Sequence, residues 1–303
     1  MLARPRLAAA AACAAALAFA AGSALAEPAL WVAKSNSSTV YLFGTMHLLD
    51  PNLAWRTHAL DRAFRGSSEL WLEIPLPVSG KGSAMAFTPE ETKRIGEMIT
   101  TLGITTDGPT LSSKLTPAEN AQLASLLAPI PQERIDRLRP WLAALTATSK
   151  LAMLTGLAPT TGPDVTLDEE AMVDGKPVHA FETLEQQYHF FADLSPDEEL
   201  DYLRGTLAEA AAGKALLQAM EQAWASGDDN AVAHLVDGRM REKSPLFYRR
   251  FVVERNHRWL PEIETMLKTP GVRFIAVGEG HLVGSDGVMA LLKKDGFRVE
   301  RVR

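Results

Sequence analysis

Two apolar runs that end in the same short pattern constrain this chain more than any other feature. Thr39-Val40-Tyr41-Leu42-Phe43 leads into Gly44-Thr45-Met46-His47, and Val272-Arg273-Phe274-Ile275-Ala276-Val277 leads into Gly278-Glu279-Gly280-His281. Runs rich in β-branched and aromatic residues that stop at glycine read as buried strands. Each is followed by a helical stretch and a further strand: Arg56 to Phe64 and then Leu70 to Ile74, and Asp286 to Lys294 and then Phe297 to Val302. Strand, helix and strand in so few residues make a βαβ unit, whose strands are normally parallel. The expected fold is therefore α/β: one domain over residues 27–303, with a central, mostly parallel sheet built from two βαβ units and a helical insertion between them.

The insertion, about residues 84–245, is read from its helix starts. Thr88-Pro89-Glu90-Glu91, Thr116-Pro117-Ala118-Glu119 and Ser195-Pro196-Asp197-Glu198 each put a capping hydroxyl before proline, with glutamate at the third helical position. Pro140 to Leu154 and Asp197 to Gly227 read as further helices, and Asp228 as the cap of another. Lys176 to Glu182 is short and β-like after the turn Asp174-Gly175. Phe247 to Lys268 reads as a helix bent or interrupted at Pro261.

The amino terminus has Arg4 and Arg6, an apolar run from Leu7 to Ala21, and the triplet Ala24-Leu25-Ala26. This predicts a signal peptide over residues 1–26, cleaved to leave a periplasmic or secreted protein with no integral membrane segment. The single cysteine, Cys13, would leave with it, so Cys-rich metal sites and intramolecular disulfides are excluded. The formal net charge of −6 argues against a broad basic face for nucleic acid.

Candidate chemistry follows from position rather than from the Gly-x-x-His pattern itself. Seven histidines and 21 glycines in 303 residues yield about 0.5 chance occurrences. In open α/β sheets, however, functional groups collect beyond the carboxyl ends of parallel strands. His47, His281, Glu73 and Glu182 each stand at such an end. Two imidazoles and a carboxylate suit a divalent transition metal such as Mn, Co or Zn, whose bound water would be a nucleophile near neutral pH. Gly44, Thr45, Gly278, Glu279 and Gly280 form the loops through which backbone could approach a substrate. Glu279 would add a ligand there or repel substrate. There is no His-Glu-x-x-His helix, and Gly278-Glu279-Gly280 lacks the third glycine of a dinucleotide site, so no nucleotide cofactor is expected. Asp164, Asp168, Glu169 and Glu170 lack the spacing of a calcium loop. Arg255-Asn256 by itself reads as part of a charged helix face, and the six tryptophans as packing residues.

The set Tyr41-Leu42-Phe43-Gly44-Thr45-Met46-His47, Glu69-Leu70-Trp71-Leu72-Glu73, Gly175-Lys176-Pro177-Val178 with Glu182-Thr183 and Gln186, Glu254-Arg255-Asn256, and Phe274 to Gly284 resembles the TraB/GumN family, which also contains the Tiki proteins. That resemblance implies an α/β fold with a central sheet. It also implies a metal-dependent, protease-like activity in which His47, His281 and Glu73 are ligands or catalytic groups. Arg255 and Asn256 match a family Arg-Asn pair, which makes Arg255 a candidate for orienting Glu73 or binding a substrate carboxylate. The expected partner is a peptide or other small envelope substrate. A non-catalytic ligand-binding envelope protein and a metal-free His/Glu esterase are the alternatives.

Overall fold

In the computed structural model the described residues are 27–76, 88–155, 162–210 and 212–302. The expected signal segment and parts of the expected insertion lie outside them.

Two strands govern the architecture because both are apolar on both faces toward their carboxyl ends. Strand β2 (Ser38–Thr45) is buried continuously from Leu42 to Thr45, and β5 (Gly271–Gly278) from Phe274 to Val277. Such strands must be covered on both sides, which is the situation of parallel central strands. They pair in parallel with each other, with Thr45 opposite Gly278. Around them lie β1 (Leu30–Lys34), β3 (Glu69–Leu72), β4 (Val178–Ala180) and β6 (Arg298–Arg301), in the spatial order β4-β3-β5-β2-β1-β6. Strands β4, β3, β5 and β2 run parallel; β1 is antiparallel to both β2 and β6.

The mostly parallel α/β sheet is thus present, with two refinements. Strand β1 was not foreseen: five residues carry too little periodicity to mark a strand. It forms a hairpin with β2, closed by Ser35, whose Oγ accepts from the Ser38 amide at 3.1 Å. The second βαβ unit does not close beside itself. Both edges of β5 are taken by β2 and β3, so β6 reaches the sheet only at its far edge, against β1.

The helix His58–Arg65 connects β2 to β3. Thr57 caps it by accepting from the Leu60 amide, and its buried face, Leu60, Ala63 and Phe64, packs on the sheet with Phe64 edge-on to Phe274 at 5.4 Å. The capping boxes expected at Thr88 and Thr116 form, and Ser195 and Glu198 exchange the same reciprocal bonds. Asp228 caps the helix Asp229–Ala233. The helical segment has an apolar cluster of its own, including Leu111, Leu127, Ala143 and Leu203. Pro261 does not interrupt its helix, Glu254–Lys268. It sits on the exposed face while Trp259, Ile263 and Leu267 anchor the other. The irregularity falls earlier, at a π-helical turn, Arg249–Val253.

Phe43 is fully buried at the centre, stacked on Trp55 at 6.0 Å and close to Trp224 and Phe274. Phe43→Ala should cost about 3–5 kcal/mol of stability by urea unfolding. A loss below about 1 kcal/mol would contradict this packing.

Candidate active site

Parallel pairing delivers four chain segments to one edge of the sheet. In spatial order they carry Glu182 after β4, Glu73 after β3, His281 after β5 and His47 after β2. Gly278 marks where three of them meet. A Cβ on it would lie 2.9 Å from Glu73 Oε1 and 3.8 Å from both His47 Nε2 and His281 Cδ2. With no side chain there, the Gly278 amide donates to Glu73 Oε1 at 2.6 Å.

Arg255 organises the buried half of the site. The π-helical turn just before it adds a residue to the helical repeat, and Arg255 and Asn256 face inward, where the charged face expected from sequence would have put them in solvent. Its Nε donates to Glu182 Oε1 at 2.9 Å, and its Nη2 donates to Glu182 Oε2 at 2.8 Å and to Glu73 Oε2 at 2.6 Å. Its Nη1 donates to His281 Nε2 at 2.8 Å. Trp259 adds an indole N–H to Glu182 Oε1 at 3.0 Å and sets its ring 4.5 Å from the His281 ring. Burial alone would raise the Glu73 pKa, but Arg255, assisted by the two imidazoles, holds the carboxylate ionised far below the usual range.

His281 is neutral, and its tautomer follows from its neighbours. Asn256 donates through Nδ2 to the Asp286 carbonyl at 2.8 Å, so its Oδ1 is the acceptor for His281 Nδ1–H at 2.7 Å. Nε2 is then the lone-pair nitrogen that accepts from Arg255. Burial, reinforced by Arg255, lowers the His281 pKa to about 3.

His47 has the opposite character. Its side chain is 56% exposed, and Nδ1 lies 3.0 Å from Asp164 Oδ2. The crevice's desolvation disfavours the charged ring, but Asp164 and the more distant Glu73 outweigh it and raise the pKa to about 9.

An open crevice of about 230 Å³ reaches this edge, lined by His47, Glu73, Leu72, Ile74, Asp164 and Gln187 among others. Of the residues expected from sequence, His47 and Glu73 line it. Arg255, Asn256, Glu182 and His281 stand behind as a buried support. Glu279 does not line it: its side chain is buried against Gly44, where a Cβ would come within 2.7 Å of Glu279 Cβ. Burial and the neighbouring Asp229 carboxylate push the Glu279 carboxyl well above its ordinary pKa. Thr45 is buried, and Gly280 packs on Val236.

Three participants were missed. Asp164 belongs to an acidic run whose spacing fits no metal loop, and only the packing of the helix Pro163–Val173 beside His47 reveals its role. Gln187, which donates to Glu182 Oε2 at 3.2 Å, sits one residue after Gln186, which is consumed in the Thr183 capping box. Trp259 is a core residue as expected, but its indole N–H also serves Glu182. Among the described residues, no group of three or more His, Cys, Asp or Glu side chains stands in metal-holding geometry.

The fold and this edge define an α/β protein with a polar crevice at the carboxyl ends of parallel strands, backed by a buried Arg–carboxylate–imidazole network. The chain belongs to the TraB/PrgY/gumN family, whose model matches residues 29–301. No curated protein and no solved structure matches it.

Two outcomes test the electrostatics. Arg255→Met leaves Glu73 and Glu182 buried without their cation and should cost about 3–5 kcal/mol in urea unfolding. His47 should titrate near pH 9 by NMR, and Asp164→Asn should lower that pKa, because desolvation is then opposed mainly by Glu73. The sign follows from linkage. A pKa raised above 6.5 adds stability that is complete below pH 6.5 and is lost as pH climbs through about 9, so Asp164→Asn should flatten stability across that window.

Proposed function

We propose that this protein is a hydrolase of peptide bonds or similar acyl bonds, acting in the envelope after export. His47 and Glu73 are its reacting groups, and His47, Glu73 and His281 hold a divalent ion such as Mn, Co or Zn. Export rests on the amino-terminal pattern of arginines, apolar run and Ala-x-Ala. The absence of any helix long and apolar enough to cross a membrane among the described residues is compatible with it.

One observation carries the catalytic reading: His47 Nε2, Glu73 Oε1 and the His281 ring converge around Gly278, while each imidazole is anchored through Nδ1, by Asp164 and by Asn256. Anchoring of the outer nitrogen by an oxygen acceptor is how metal-binding histidines are commonly oriented, and two nitrogens with one carboxylate oxygen are donor types a borderline divalent ion takes, although as they stand these side chains are not in metal-holding geometry. Such an ion would bring the pKa of a bound water near neutral and polarise a carbonyl. The protein's own part is to keep Glu73 ionised through Arg255 and the Gly278 amide, to fix both rings, and to present His47 to the crevice.

The contact between Arg255 Nη1 and His281 Nε2 at 2.8 Å favours a second reading, because it uses the lone pair that an ion would need. In that metal-free form, neutral His47 takes the proton from an attacking water while Asp164 holds Nδ1, and Arg255 and His281 serve as fixed polar support.

Elemental analysis of the purified protein, combined with a peptide-cleavage screen with and without added Mn²⁺, Co²⁺ or Zn²⁺, separates the readings. His47→Ala should reduce turnover by at least about 100-fold with an unchanged circular dichroism spectrum. Bound ion that is lost in Glu73→Gln supports the metal form. Turnover that survives chelation and rises with pH toward about 9 supports the metal-free form. Full turnover by His47→Ala refutes both, and saturable binding without turnover makes the protein a binding module.

A further inference from the structure

A second open cavity, of about 710 Å³, lies among the helices of the inserted segment and shares no lining residue with the crevice. Much of its wall is apolar: Leu216 and Met220 from the helix Gly213–Ala225, Leu235 and Val236 from a π-helical turn at His234–Gly238, then Met240 and Phe247. Tyr202 stacks on Phe247 at 4.6 Å and completes one side. The facing helix, Pro196–Ala210, presents Gly205, where a Cβ would meet nothing within 4 Å. The space beside it is left open by a residue with no side chain, although a Cβ would fit there. An apolar cavity of this size is in the range of small-molecule sites.

The polar groups of the cavity are not evenly spread. At one end Arg239 and Lys243 both donate to the same oxygen, Oε1 of Glu209, at 3.2 and 2.7 Å. Two cations thus share one carboxylate oxygen, and Arg239 Nε is buried with no acceptor among the described residues. The other cation of the lining, Arg204, is engaged by Glu119 and the Lys114 carbonyl. Of the acids, Glu198 accepts from the Ser195 amide, and Asp201 stands two helical turns from Glu209, about 12 Å along the axis. The Arg239–Lys243 end therefore carries two cations against one carboxylate, at the mouth of an otherwise largely apolar space.

We propose that this cavity binds a long-chain carboxylate, its hydrocarbon tail along Leu216, Met220, Leu235 and Phe247 and its carboxylate on Arg239 and Lys243. The charge-assisted contact fixes orientation, and apolar burial provides most of the affinity.

Titration of the purified protein with cis-parinaric acid, a fluorescent long-chain carboxylate, should saturate at one site. Dodecanoate should displace it at least tenfold better than methyl dodecanoate. Gly205→Phe, which projects a ring into the cavity from a position where its Cβ meets no described atom within 4 Å, should weaken binding at least tenfold while its melting temperature and circular dichroism stay close to wild type. Arg239→Met should retain tail binding and lose the preference for acid over ester. His47→Ala, in the separate crevice, should bind the probe as the wild type does. The proposal is overturned by failure to saturate, by unaltered binding in Gly205→Phe, by equal displacement by acid and ester, or by loss of binding in His47→Ala.

Discussion

The parallel register of β2 and β5 is the constraint on which the rest of the site depends. With Thr45 opposite Gly278, the two Gly-x-x-His loops leave the sheet side by side, although more than two hundred positions separate them in the chain. Close packing on both faces holds that register, since a slip of one residue would pull Phe43 and Phe274 out of the aromatic cluster they share. Insertion of β5 between β2 and β3 then places Glu73 across from the same loops. The geometry of the crevice is a by-product of core packing: the residues that hold the register are aromatic and aliphatic, and the polar ones sit just beyond the strand ends.

Arg255 resolves the electrostatic difficulty that this convergence creates. Glu73 and Glu182 are brought together in a poorly solvated place, where burial by itself would drive Glu73 toward its neutral form. A single guanidinium answers both and still has a donor for His281. Its planar fork suits three acceptors at once, which a lysine ammonium would not match in geometry. The same network separates the two histidines chemically: the one against Arg255 is kept neutral, and the one against Asp164 is biased toward its charged form.

The helical segment contributes more than a cover. It supplies Asp164 and Gln187 to the crevice and borders a separate, largely apolar cavity, and two π-helical turns, His234–Gly238 and Arg249–Val253, lie along the chain from it to Arg255. One turn precedes Arg255; the other sets Val236 against Gly280, beside His281. Both are places where a regular helix would aim a side chain elsewhere.

Much of this was legible in the residues. The β-branched and aromatic runs, the glycine stops and the capping boxes depend on neighbours within a few positions, so the α/β class, the main strands and most helix starts could be read directly, and strand ends singled out His47, Glu73, Glu182 and His281 as candidates. Strand β1 escaped because it is short and gains its stability from β2. Arg255 read as surface charge from its own helix and became a candidate for orienting Glu73 only through the family resemblance, while the pairing of Asp164 with His47 and the turning away of Glu279 escaped for a different reason. Each depends on which element packs beside it, and a carboxylate or guanidinium reads the same in sequence whether it faces water or a buried partner. Local chemistry therefore determined the elements and the candidate residues; only the tertiary packing decided which of them share a site, which stay charged and which open onto the crevice, because burial and proximity exist only once distant segments have met.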